Sequence, residues 1–564
     1  MRSRAIGLGR VLGILCLLLG AAAMSGGAAE PTAKVPGGAA EPTASPQAVQ
    51  VSADKFAAHI EADDTPRPGN ASPAIVELYP NPVTEGNRGE YLIVRLPEPG
   101  NWSLSDGYHR ATIPADVNGT VALSMEPEKT DEHVDEGVQI RTLTDHFPLA
   151  ADGDRIVLKR NGEAVDIVEY GRVREGYRWR ADWAEWRPDG YEPRDPVAFE
   201  DVETTPFVLP DSPERPLKPF ERADERLLVA GYTLSSTRVV EALIDAADRG
   251  VRVQVLIEGT PVGGFSERGA DAADRLVAAG VEVRVLDGEP DRFRFHHAKY
   301  AVADDEAVVL TENWEKSGTG GRSNRGWGVA VDDPEVADEL AALFTHDASA
   351  EDARTWEKFR SNATFHGSGL ANGTYPGRFD PPNPSTANVT LLTAPGNADD
   401  ELVARIDAAE GRALAIVPRT GGTDERIVAA LRRAAERGVE THLLLSGMWY
   451  DERENRELID ALEDEPIEVA IAEPRGRFGS IHAKGVVVDD TVVVGSLNYN
   501  EVARTENREV LLAIDDPEVA DFYARTYAAD WRGGGVPLPI GFAAGAVATL
   551  VVAAAVTRRE VEFV

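Results

Sequence analysis

FHHAKYAVAD, residues 295–304, is answered 185 positions later by SIHAKGVVVD, residues 480–489. Both contain His-x-Lys-x-x-x-x-Asp: His297, Lys299 and Asp304 in the first, His482, Lys484 and Asp489 in the second. An offset of that length is far beyond a short-period solenoid and points to a duplicated domain. The flanks agree, since AADRGVRVQVLIEG pairs with AAERGVETHLLLSG, and VDDPEVADELAALFTHD with IDDPEVADFYARTYAAD. Within one unit RLLVAGY reads as a strand. TRVVEALIDAADRG then puts Val239, Val240, Leu243, Ile244 and Ala247 on one helical stripe that stops at Gly250, and VRVQVLIEG is a buried strand. A second round, DRLVAAGVEVRVL, leads to the motif. Repeated β-α-β units predict an α/β fold with two mainly parallel sheets flanked by helices, one per repeat.

After five intervening residues beyond each aspartate the copies match again, LTEN with Thr311 and Asn313 against GSLN with Ser496 and Asn498. Period-two alternation turns His297 and Lys299 to the same side of their strand, and His482 and Lys484 likewise, so each pair faces one pocket. His296 points away by the same alternation and reads as structural. Asp304 and Asp489 belong to the catalytic constellation in a supporting role, because five steps from the lysine puts them on the opposite face.

The rest of the chain frames this pair. Its 95 acidic against 58 basic side chains give a net charge of −37 spread along all 564 residues. An evenly acidic, lysine-poor surface suits concentrated salt, where screening removes self-repulsion, and it argues against a broad basic patch for nucleic acid. The single cysteine, Cys16, lies in the apolar run VLGILCLLLGAAA behind Arg2, Arg4 and Arg10, which reads as a signal peptide over residues 1–24. A mature chain without cysteine has neither disulfides nor thiolate metal sites. Six Asn-x-Ser/Thr sequons, at Asn70, Asn101, Asn118, Asn362, Asn372 and Asn388, fit loops outside a cell. Residues 538–557 hold a charge-free apolar run followed by Arg558 and Arg559, the pattern of a single membrane span with a short cytoplasmic tail, 558–564, and the main body outside.

Between these ends the expected order is a disordered linker over 25–70, a β-rich domain over 71–172, a tryptophan-rich connector over 173–219, the first repeat over 220–350, a second linker over 351–390 and the second repeat over 391–532. The β-rich stretch, with IVELYPNP, GEYLIVRL, NWSLSD and FPLAADGDRIVLKRNGEAVDIVEYG, resembles the lamin-tail domain, which implies an immunoglobulin-like β-sandwich. The tryptophans of YRWRADWAEWRPDGYEP are expected to pack the sandwich on its neighbour, the alternative being a stacking platform for sugars or bases.

With two His-Lys-Asp motifs in matched repeats, residues 220–531 resemble the phospholipase D superfamily, in which both motifs form one active site. The resemblance implies that Lys299 and Lys484 neutralise a phosphodiester while Thr311, Asn313, Ser496 and Asn498 donate hydrogen bonds to it. One histidine attacks phosphorus to form a phosphohistidine, and the other protonates the leaving oxygen and then activates water. The scheme needs no metal and no other cofactor, and no protein partner is inferred. Glu509 in TENREV matches the family's glutamate that orients the histidine, whereas SNRGWG carries Gly326 at that place. On this reading Glu509 supports His482 as the general acid, and His297, lacking such a partner, stays neutral and attacks. Leu310 also stands where the family has glycine. The implied function is a membrane-anchored extracellular phosphodiesterase acting on a phospholipid or nucleic acid. A secreted DNA nuclease and a catalytically decayed surface scaffold, the latter motivated by Leu310 and Gly326, are the alternatives.

Overall fold

In the computed structural model, which describes residues 72–531 except 85–87, 132, 136, 184, 190–193, 289–290 and 370, the stretch expected to be a connector supplies three strands. The expected signal peptide, first linker, membrane span and tail lie outside the described residues. Among the described residues no helix is long and apolar enough to cross a membrane.

The first two connector strands, Tyr177–Arg180 and Glu185–Pro188, extend a six-stranded sheet built on Ala74–Tyr79, Tyr91–Leu96, Gly119–Ser124 and Gln139–Thr142. A four-stranded sheet, Arg110–Ile113, Trp102–Ser105, Asp154–Arg160 and Glu163–Tyr170, packs against it through Leu78, Leu92, Trp102, Leu104, Ile156 and Leu158. Asn161 and Gly162, both at positive φ (52° and 90°), close the hairpin between its last two strands, as an Asn-Gly pair favours. Trp179 of the connector is buried in this core, and Trp186 packs on it. The β-rich domain is therefore a two-sheet sandwich reaching to Pro188, and these two tryptophans are part of it.

The third connector strand, Val197–Leu209, corrects the expectation of two separate sheets. It lies antiparallel between Asn324–Asp332 of the first repeat and Ser385–Ala394, which leads into the second, and fuses both repeats into one sheet. Outward from this seam the first repeat runs Asn324–Asp332, Glu306–Leu310, Tyr300–Ala303, Arg226–Gly231, Arg252–Glu258, Glu282–Leu286. The second runs Glu509–Asp515, Thr491–Gly495, Gly485–Val488, Arg412–Ile416, Glu440–Leu445, Glu468–Ile471, the same order repeated. Only the last three strands of each series are mutually parallel. The motif hairpins and seam strands are antiparallel, so each half is mixed where a mainly parallel sheet was expected.

Repeated sequence produces repeated local chemistry. In both DDPEVAD segments an aspartate caps the following helix. Asp333 accepts from the backbone N–H of Glu335 (2.9 Å) and Val336 (3.0 Å), and Asp516 from Val519 (2.8 Å), with Pro334 and Pro517 at the first turn. A core formed by both repeats lies beneath the seam, with Ala298, Val329 and Trp327 from the first and Val487, Val510 and Tyr523 from the second. The fully buried Trp327 ring stands 4.7 Å from that of Tyr523. A Cβ at Gly485 would meet the same indole at 2.8 Å, which explains glycine there in the second motif.

Trp327→Ala is expected to cost about 3–5 kcal/mol. Because its core is shared, both repeats should lose stability in a single denaturant transition. Two separate transitions, or a loss confined to the first repeat, would contradict the shared core.

Candidate active site

Asp304 and Asp489 act on backbone. Each follows its motif strand at positive φ (52° and 49°). The Asp304 carboxylate accepts from the N–H groups of Asp224, Glu225 and Arg226 at 2.7, 3.1 and 2.8 Å. Asp489 accepts from Glu410, Gly411 and Arg412 at 2.9, 2.7 and 2.9 Å. These bonds tie the motif strand to its neighbour and hold both carboxyls below their ordinary range despite some desolvation. Neither aspartate reaches the site, so their counting among the catalytic residues gives way to the supporting role.

Thr311 and Ser496, expected to donate to substrate, are also buried structural groups. Thr311 Oγ1 accepts from Trp327 N (3.0 Å), and Ser496 Oγ from Val510 N (3.0 Å), stitching each motif hairpin to its seam strand. Asn313 and Asn498 are only half-buried, and among the described residues no partner is found for Asn313 Oδ1. They keep the substrate-binding expectation.

The histidines are held by carboxylates exchanged between the halves. His297 Nδ1 lies 2.9 Å from both oxygens of Glu509. His482 Nδ1 lies 3.3 Å from Glu312 Oε2. Glu509 was expected beside His482, and His297 was expected to lack a partner; both expectations are wrong, for one geometric reason. The strip ending in Glu509 runs beside the first motif, with His297 N donating to Arg508 O (2.9 Å) and Arg508 N to Phe295 O (3.0 Å). The strip ending in Gly326 runs beside the second, with His482 N donating to Arg325 O (3.0 Å). A glutamate at the end of either strip therefore faces the other half's histidine.

Where the first half lacks that glutamate, Glu312 replaces it from the next strand. A Cβ on Gly326 would fall 2.2 Å from Glu312 Cγ, so the glycine leaves the space that the carboxylate chain fills. Asn324 Nδ2 donates to Glu312 (3.0 Å) as Asn507 Nδ2 does to Glu509 (3.1 Å). Leu310 is compensated too. It is buried opposite Gly328, whereas Gly495 is opposite Leu511, so the large and small residues have exchanged strands.

Both glutamates have no exposed side-chain surface, and both lysines are buried. Lys484 Nζ donates to His482 O (2.6 Å) and Lys299 Nζ to His297 O. The ring of Tyr232 stacks edge-on to His297 at 4.9 Å and lies 5.3 Å from the Lys299 ammonium. Burial lowers Lys484 to about 8 and Lys299 well below its ordinary value, with Glu312 and Glu509 opposing. Burial also lowers His297, to about 4, against the pull of Glu509. His482 is lowered by burial and Lys484. Desolvation raises both glutamates, but their histidines and the lysines bring the net shift below the ordinary range. Lys484 acts on His297 and Lys299 on His482, so the motifs make one electrostatic cluster. In this state the glutamates are anionic, and His297 is neutral with its Nδ1–H toward Glu509 and Nε2 left as the free base.

Outside the pocket His296 is buried with Nε2 3.5 Å from Asp347, as its structural reading requires. Asp347 pairs with Arg508 (2.9 Å), and Asp530 with Arg325 (2.8 Å), so equivalent buried ion pairs brace the two strips. Glu312 and Tyr232 were the functional neighbours missed from sequence. The signal for Glu312 was a carboxylate at the end of an apolar strand, together with a glycine where the other copy has glutamate. Tyr232 follows an apolar strand and carries no comparable mark.

Residues 217–348 and 402–531 match the family described as "Cardiolipin synthase, PLD-like domain". The two repeats are phospholipase D-like domains. A phospholipase D of Rickettsia bellii (strain RML369-C) is 30% identical over 139 residues, which are 24% of this chain and 66% of that protein. Cardiolipin synthase B of Salmonella typhimurium is 26% identical over 315 residues, 52% of this chain and 72% of that protein. Among solved structures, phosphatidylserine synthase of Haemophilus influenzae Rd KW20 aligns with a TM-score of 0.43 at 11% identity, covering 59% of this chain and 88% of that one. The phospholipase D family member Nuc of Salmonella typhimurium aligns at 0.24 and 18% identity, covering 28% and 98%.

A phospholipase D-like site built on a lysine at about 8 has a defined charge response. Binding of a dialkyl phosphate, whose own charge is constant, should weaken about tenfold per pH unit above about 8 as Lys484 loses its proton. Calorimetric titration across that range checks it, and an affinity unchanged to pH 10 would remove Lys484 from the anion site.

Proposed function

We propose that this chain is a phosphodiesterase that works through a phosphohistidine at His297, and that its substrate is a phospholipid headgroup at a membrane surface. The observation that carries the chemistry is the pair of exchanged His–Glu contacts beside two buried lysines. The P–O bond to the leaving group breaks as His297 Nε2 bonds to phosphorus, and His482 gives its proton to the leaving oxygen. His482 then takes a proton from water, whose oxygen displaces His297, and both side chains are restored. Lys299 and Lys484 neutralise the non-bridging oxygens, with Asn313 and Asn498 at the rim. An anionic phosphate in the pocket raises His482, which burial and Lys484 depress when the site is empty, and so charges the acid when substrate is present.

The choice of lipid rests on the rim. Strands Arg252–Glu258 and Glu440–Leu445 end in equivalent loops that expose Val262 (79%), Trp449 (82%) and Tyr450 (55%). Val262 N donates to Tyr232 Oη (2.6 Å), whose ring stacks on His297, and the charges of Glu312 and Lys484 act on Tyr450 and Asp451, so both loops border the site. Trp and Tyr favour the headgroup region of a bilayer. Asp451, Glu452, Glu454 and Glu457 follow on the same loop and helix, which opposes a polyanionic strand more than a zwitterionic surface. The apolar stretch 538–556, read as an anchor with the body outside the cell, would keep the site near such a surface. A DNA-directed reading draws on the lamin-tail resemblance and on aromatic rings that stack with bases.

Two measurements test this reading. With a nitrophenyl phosphodiester, His297→Ala should abolish the covalent adduct, while His482→Ala should accumulate it, for want of a base to activate water. An adduct mapped to His482 would reverse the roles. In molar salt, turnover should persist in EDTA and favour zwitterionic phosphatidylcholine vesicles over plasmid and single-stranded DNA; preferential DNA cleavage would replace the lipid assignment.

A further inference from the structure

The β-sandwich grips the strip that delivers Glu509. Arg174, just beyond the sandwich strand Glu163–Tyr170, forms an ion pair with Glu506. Its guanidinium also donates to Tyr177 Oη (3.0 Å) and lies 5.1 Å over that ring, and the ring is buried in the sandwich core. Arg187, on the sandwich edge strand Glu185–Pro188, donates to Thr505 O (3.1 Å). The other side of the same strip faces the first motif. Arg294 N donates to Glu506 O (2.9 Å), Arg508 N to Phe295 O (3.0 Å) and His297 N to Arg508 O (2.9 Å). Residues 505–508 are thus held between the sandwich and the motif, and the next residue is the one that meets His297 Nδ1.

The equivalent strip of the other half is held from outside the repeats as well, by the segment between them. Gly373 N donates to Arg322 O (3.0 Å), and Arg322 Nη1 to Thr374 Oγ1 (3.3 Å). Both strips that frame the site are therefore positioned partly by segments outside the matched domains. The sandwich supplies the contact on the nucleophile's side.

We infer that the N-terminal sandwich is a positioning element of the active site, in which Arg174 and Arg187 fix residues 505 and 506 so that Glu509 holds His297 in its attacking orientation. This rests on the proposed phosphohistidine reading only for its kinetic consequence. Neither arginine touches substrate; they act through the strip. The Arg174–Glu506 pair is partly exposed (36% and 24%), so it adds little to global stability. Loss of the contact should appear in the chemical step and not in melting.

The test uses the full chain with Arg174→Ala and Arg187→Ala combined. We expect kcat to fall roughly 10-fold, the low end of the loss that follows when the outer-shell partner of a metal-ligating histidine is removed. KM and Tm should stay near their original values, and Arg174→Lys should retain most of the rate. In a Glu509→Gln background the same pair of substitutions should change kcat less than about two-fold, since the group they position is already lost. An unchanged kcat in the double variant, or an equal loss in the Glu509→Gln background, would overturn the inference. A second readout needs no turnover. The Nδ1–H resonance of His297, which faces Glu509 with Lys299, Lys484 and Tyr232 around the ring, should shift upfield or broaden in the double variant. If wild-type protein cleaves no phosphodiester but this resonance moves, the enzymatic reading fails and the clamp stands. If turnover is present and the resonance does not move, the clamp fails alone.

Discussion

Each histidine depends on a glutamate from the opposite half. His297 is held by Glu509 and His482 by Glu312, and neither pair exists within one repeat. The exchange couples the rest of the fold. For a carboxylate at the end of one seam strand to reach a motif in the other half, both halves must share a seam, and Val197–Leu209 with Ser385–Ala394 provides it. An isolated repeat would leave each histidine without its orienting carboxylate, because Glu509 and Glu312 both come from the opposite half. Duplication is therefore needed for chemistry as well as for size.

The cluster is expensive to bury. Two carboxylates and two lysines lie out of solvent, and beneath them Arg325–Asp530 and Arg508–Asp347 are equally enclosed. Buried pairs of this kind seldom add net stability, but breaking one is severe. Their effect here is positional, since they hold the two strips in register with the motifs. The apolar core of Trp327, Val510 and Tyr523 carries the stability that the charged layer does not. Pseudo-symmetry survives these demands through paired substitutions. Leu310 faces Gly328 where Gly495 faces Leu511, Gly485 yields space to Trp327, and Gly326 yields space to Glu312. Summed volume is conserved while identity drifts, as close packing requires.

The sequence made the duplication, the two motifs and the helix stripe legible, because each is a local pattern with its own period. The supporting role of Asp304 and Asp489 was legible for the same reason. Strand Val197–Leu209 was not: it interrupts its apolar pattern with Glu200, Asp201 and Glu203, and a register shift between Phe199 and Val202 breaks the alternation. Tyr177–Arg180 reads as an aromatic connector until Ala74–Tyr79 is seen beside it. The division of glutamates was misread because alignment of the copies shows which residues correspond, not which ones meet. Correspondence follows the chain within a half, and contact crosses the seam. Thr311 and Ser496 share the motif spacing of a substrate donor, yet the backbone of the seam strand uses their hydroxyls first.

The exchange of glutamates is tested most directly by moving one of them. Glu312→Leu reproduces Leu497 of the other half and removes the support of His482; it should lower kcat by roughly 10–100-fold, as loss of an orienting partner does. Adding Gly326→Glu to that variant recreates the pair that the second half already accommodates in its core, Leu497 with Glu509. The account predicts that kcat recovers most of the loss in the double variant, although Gly326→Glu alone is damaging because it collides with Glu312. A Glu312→Leu enzyme with unchanged kcat, or a double variant no better than the single one, would contradict it.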